Sequence, residues 1–162
     1  MQYSVGVEYC LHCLTYLVGQ PPGETIALKD LASFQGVSET YLSKAFTKLS
    51  KKGIIRSSTG VKGGYELAKN ANDINFWDII EAIEGNSYIF RCHGILRNTA
   101  ILDISDDREC PCLIKDIMHE AEDKMRDFLK SKSLMQLYLD TNEVMTEKER
   151  EDLKEWFKKA RN

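Results

Sequence analysis

Apolar residues recur at Val7, Cys10, Leu11, Leu14 and Val18, three or four positions apart. That spacing predicts an amphipathic helix over Ser4 to Val18, closed by the breaker run Gly19-Gln20-Pro21-Pro22-Gly23. A shorter helix follows from Ala27 to Phe34, with Leu28, Leu31 and Ala32 apolar, and stops at Gly36. The next is capped by Ser38 and runs from Glu39 to Gly53, with Leu42, Phe46 and Leu49 on its inner stripe. The period then shortens. Ile54-Ile55-Arg56 and Tyr65-Glu66-Leu67-Ala68 flank a tip rich in Gly, Ser and Thr, the pattern of a β-hairpin.

Helical spacing returns over Ile74 to Glu84, with Ile79, Ile80 and Ile83 inward, Trp77 nearby and Gly85 closing. Asn86 to Glu109 has no period and reads as a loop, long for a compact domain and so functional or disordered. From Pro111 to Lys130 the stripe Leu113, Ile114, Ile117, Ala121, Met125, Phe128 and Leu129 is longer than a small domain can cover. It predicts packing on its counterpart in a second subunit, hence a homodimer. A lid over the first four helices is the alternative. A capping box, Thr146-x-x-Glu149, opens a last helix with Leu153, Trp156 and Phe157 on one side, a packing tail.

The expected architecture is mainly α with a small β-hairpin. Residues 1–85 would form a winged helix-turn-helix unit, 86–110 a loop, 111–140 a dimerisation region and 141–162 a C-terminal extension.

Charge sharpens this picture. The chain of 162 residues has a formal net charge of -3. Residues 1–70 nevertheless hold 8 Lys/Arg against 5 Asp/Glu, and residues 39–70 hold 7 against 2. Positive charge concentrated on the third helix and hairpin points to a polyanionic partner, and a solvated basic face is the plainer alternative. An α-helix fits the major groove of B-DNA, so Thr40, Tyr41, Ser43, Lys44 and Thr47 are candidates for base edges or phosphates, with Ser38 and Lys48 beside them. The hairpin, with Arg56, Lys62, Gly63, Gly64 and Tyr65, could lie along the adjoining minor groove. The expected partner is double-stranded DNA. No apolar run approaches the roughly 18 residues that cross a bilayer, and the N-terminus has no secretory signal, so a cytoplasmic protein without membrane partners is expected.

The run VSETYLSKAFTKLSKKGIIRSSTGVKGGYELAKN, followed by INFWDIIEAIEG, resembles the IscR/NsrR family of bacterial winged-helix regulators, also called the Rrf-two family. The resemblance spans roughly residues 1 to 140 and implies a dimer joined through the long helix that binds a roughly palindromic operator. It also implies a transcriptional regulator rather than an enzyme. Nothing carries over to the last helix.

Five cysteines, Cys10, Cys13, Cys92, Cys110 and Cys112, are an odd number without a secretory signal, which argues against a disulfide framework. Thiolates are the preferred ligands of iron-sulfur clusters, and Cys110-Pro111-Cys112 sits where a helix start lowers thiol pKa. Glu8 and His12, at i and i+4 on the first helix, share a face and could supply further ligands or simply pair with each other.

Many members of the family hold a cluster on three cysteines in the loop before the dimer helix, about six residues apart. Here Cys92, Cys110 and Cys112 are 18 and 2 positions apart, a departure from that spacing. GVEYCLHC resembles the first helix of an RsrR-like subgroup, which implies a 2Fe-2S cluster on Glu8 and His12 of one subunit and Cys110 and Cys112 of the other, with Cys92 the rival ligand. The implied function is a redox or nitric-oxide sensor. Cluster-free thiol sensing or a protein signal, and a redox enzyme using the Cys10-x-x-Cys13 pair, are the alternatives. On a helix without a preceding strand that pair reads as core. His93 and His119 are expected at the surface.

Overall fold

The computed structural model describes residues 3–60, 63–93 and 112–160. Helix α1 (Val5–Val18) runs through the centre of the core, with Cys10, Cys13 and Leu14 fully buried and Leu17 nearly so. Helix α2 (Leu28–Gln35) ends at Gly36, whose φ of 66° is left-handed. The Val37 amide then donates to the Ala32 carbonyl at 2.9 Å, the chain-reversing cap that glycine permits. One residue later Ser38 caps α3 (Glu39–Lys51), its hydroxyl accepting from the Tyr41 amide at 3.4 Å. Leu42, Ala45, Phe46 and Leu49 of α3 are buried. Two helices joined by this turn are a helix-turn-helix.

The hairpin follows directly. Strands β1 (Ile55–Ser58) and β2 (Gly64–Leu67) pair antiparallel in the register Ile55 to Leu67. Ile26, just before α2, bridges Tyr65 through hydrogen bonds of 3.1 and 2.9 Å and so adds the stub of a third strand. A 3-10 turn (Ala71–Asp73) leads to α4 (Phe76–Glu84), opened by a capping box in which the Asn75 and Asp78 side chains each accept from the other residue's amide.

Helix α5 (Leu113–Lys130) packs on α4. Leu113, Ile114 and Ile117 remain 72, 65 and 67% exposed, whereas Glu122 and Arg126 are its buried residues, the reverse of what its composition suggests. Its end is tied to α4 where the Phe76 amide donates to Lys132 and the Leu134 amide to Ile74. Helix α6 (Leu134–Val144) then lies against α1, with Leu134 inside the main core.

Helix α7 (Glu147–Ala160) has the capping box expected at Thr146 and Glu149. It returns Trp156 and Phe157 to the Phe34 ring of α2 at 4.9 and 5.1 Å between centroids, and Tyr16 of α1 closes the cluster at 5.1 Å from Phe34. The tail is packing, as expected, but it packs on the helix-turn-helix itself. Among the described residues no helix is long and apolar enough to cross a membrane.

Candidate nucleic-acid interface and candidate cluster site

On α3 the apolar stripe faces the core, which leaves Thr40, Lys44 and Thr47 exposed and Ser43 half-buried at the rim. Lys44 has no partner among the described residues, so its charge is available. Thr47 donates its hydroxyl back to the Ser43 carbonyl at 2.9 Å.

Other candidates have partners of their own. Lys48 donates from Nζ to the Ile83 carbonyl at 2.6 Å, capping the last turn of α4. Arg56 pairs with Glu66 directly across the hairpin at 2.9 Å, which neutralises one wing charge. Tyr41 is 38% exposed and turned toward α1, where its ring meets Tyr9 edge-on at 5.9 Å. Its hydroxyl lies 3.0 Å from where a Cβ on Gly6 would stand. Tyr65 rests edge-on against the buried Phe46 at 5.0 Å.

The glycines of the wing have a packing reason that sequence reasoning missed. A Cβ on Gly63 would come 2.6 Å from the Ser58 carbonyl oxygen, and one on Gly64 would come 2.6 Å from that of Ile26. Close backbone approach within the sheet requires them. Lys62 lies outside the described residues.

The sulfur residues separate into two groups. Cys10 and Cys13 are wholly buried, and burial pushes the Cys10 thiol up to about 12 despite the opposing field of Lys48. Burial, with Cys10 next to it, raises Cys13 as well. They are core, as expected. Cys92 is exposed and Cys112, the residue before α5, is half-buried. Cys110 lies outside the described residues.

Glu8 and His12 are both exposed, and among the described residues the Glu8 carboxylate and the His12 imidazole have no hydrogen bond or ion pair, although the His12 carbonyl accepts from the Thr15 hydroxyl at 2.7 Å. They line a cavity of 690 Å³ between α1, α6 and α7, walled otherwise by groups such as Leu11, Phe34, Leu137 and Leu153. Among the described residues no three potential metal ligands of one chain gather. His93 is exposed as expected, but His119 is half-buried and stacked on Tyr88 at 3.8 Å, because the segment after α4 folds back over it.

A helix-turn-helix with a basic outer face and a hairpin wing defines this chain as a winged-helix DNA-binding protein. Residues 3–140 match the family model Rrf2, described as an iron-dependent transcriptional regulator. The chain belongs to the Rrf2 family of transcriptional regulators, which are not enzymes. It is 33% identical over 127 residues to the regulator IscR of Pectobacterium atrosepticum, covering 78% of this chain and 72% of that one. It is 31% identical over 121 residues to the regulator NsrR of Shouchella clausii, covering 75 and 77%. The solved structure of T. potens IscR superposes with a TM-score of 0.69 over 91% of this chain and 93% of that one, at 24% identity, a likeness of fold. The extension from residue 141 lies beyond the family model.

Proposed function

We propose that this regulator acts as a homodimer whose hold on a double-stranded operator is set by a 2Fe-2S cluster lying between the two subunits. Glu8 and His12 of one subunit and Cys110 and Cys112 of the other would hold it. One observation carries this assignment: Glu8 and His12 stand unpaired on one face of α1, at a cavity, while no ligand trio forms within a single chain among the described residues. In this reading the thiolate donors would come from a second copy. The exposed Leu113, Ile114 and Ile117, which begin directly after Cys112, are the apolar surface that would bring it there.

The donor chemistry fits. Carboxylate, imidazole and thiolates all ligate iron, and imidazole in place of thiolate raises the potential of a cluster. When bound, the cluster supplies a centre whose charge changes with oxidation state. Glu8 and His12 flank Tyr9, and Tyr9 touches Tyr41 of α3, so a change at the ligands has a packed path to the recognition helix. Thr40, Ser43, Lys44 and Thr47 would enter the major groove, with Ser38 at their helix cap, and Lys62, Gly63 and Gly64 would track the neighbouring backbone.

Anaerobically purified protein is expected to absorb in the visible and to carry iron and inorganic sulfide. Cys112→Ser, Glu8→Ala and His12→Ala should each bleach or shift the spectrum. A colourless, iron-free protein would sink the cluster and favour thiol sensing, for which the exposed Cys92 is the available group.

A further inference from the structure

The segment after α4 has no regular structure through residue 93, yet it is gripped by one face of α5. The Ile89 and Phe90 amides donate to the two oxygens of the Glu122 carboxylate, both at 2.8 Å. One turn on, Arg126 donates to the Ser87 carbonyl at 3.2 Å and the Asn86 amide oxygen at 3.4 Å. Its guanidinium sits between two aromatic faces, 4.8 Å from the Trp77 ring of α4 and 4.2 Å from Tyr88. Tyr88 in turn stacks on His119 and donates its hydroxyl to Asp123 at 2.8 Å, and the His119 ring nitrogen lies 3.3 Å from the Phe90 carbonyl.

A carboxylate and a guanidinium only 7 and 9% exposed are costly to bury. At 3.9 Å they attract as an ion pair but share no hydrogen bond with each other. The Arg126 Nε even lacks a partner among the described residues. Attachment alone would be served better by apolar residues, which α5 leaves in solvent. Two consecutive amides on one carboxylate, by contrast, fix the direction of the backbone as well as its position.

We infer that Glu122 and Arg126 are positioning residues that latch segment 86–90 to α5 and, through Trp77, to α4. The latched segment leads directly to Cys92, and the helix that holds it begins after Cys112. A change at Cys92 or Cys112 therefore has a path to the winged-helix unit through this latch. The inference rests on the sensory role proposed above for the cysteine ligands; the latch itself can be measured without it.

The experiment uses the full chain and hydrogen exchange. In Glu122→Gln the Ile89 and Phe90 amides should exchange at least about tenfold faster, since a charge-assisted acceptor is lost, while the Leu42 and Leu49 amides of α3 stay protected. Tyr88→Leu, which removes one of the two aromatic faces on Arg126 and the stack on His119 without stranding a buried charge, should give the same local loosening if the first variant fails to fold. In both, affinity for duplex DNA should persist while its ratio between cluster-loaded and cluster-stripped protein falls toward one. Unchanged exchange at Ile89 and Phe90 overturns the latch, and a retained ratio with loosened amides overturns the coupling. Should the unsubstituted protein show no such ratio, the sensory role fails and the exchange result alone decides the positioning.

Discussion

Two lysines one turn apart on α3 have opposite uses. Lys44 is exposed and unpartnered among the described residues, whereas Lys48 closes the end of α4. Lys44→Ala should weaken duplex binding and flatten its salt dependence by about 0.9 in log-log slope, with the melting temperature unchanged. Lys48→Ala should instead lower stability by about 1 kcal/mol, the usual net worth of one hydrogen bond, seen as a lower urea midpoint. Sequence alone made them equivalent, because a charge pattern does not reveal a carbonyl from an element 35 positions away. The buried thiols give a pH signature. Cys10 titrates near 12 in the fold against a usual value of 9.0, so the native state holds its proton where the unfolded chain has lost it. Stability should therefore be intact below pH 9 and fall as pH rises toward 12, and Cys10→Ala should reduce that alkaline loss in urea titrations.

Among the elements, the helices and the hairpin were legible because each has its own period and its own breaker, from Gly36 to the Thr146 cap. The polarity of α5 was not. The apolar stripe does not point to Glu122 and Arg126, which Trp77 and the returning segment 86–90 make interior. The wing glycines read as a device for approaching DNA, and they also have a packing reason that spacing did not show: Gly63 lies against the Ser58 carbonyl and Gly64 against that of Ile26. Helix α7 was read as packing, but its target, Phe34, could not be told from spacing. Phe157 is 3% exposed within that cluster, so Phe157→Ala should cost about 3 kcal/mol, a drop in urea midpoint, whereas the neighbouring Lys158→Ala should stay within about 0.5. On α5 the exposed Ile117 has the opposite expectation. Ile117→Glu should leave the helical circular dichroism unchanged and shift sedimentation from dimer to monomer.

At the scale of the molecule, α1 is the hub. Its buried face carries Cys10 and Cys13, its outer face carries Glu8 and His12, and Tyr9 beside them touches the recognition helix. The fold and the family were readable from the helix-turn-helix and wing. The proposed site was readable only as a set of residue types, since ligands drawn from two chains would leave no compact motif in one. The most direct test compares one anaerobic preparation before and after its iron is removed by a chelator, binding a duplex selected from random sequence. The affinities should differ by at least about tenfold, or 1.4 kcal/mol, and Glu8→Ala should abolish the difference. Equal affinities in the two states, with the cluster shown to be present in one and absent in the other, would contradict control of DNA binding by the cluster.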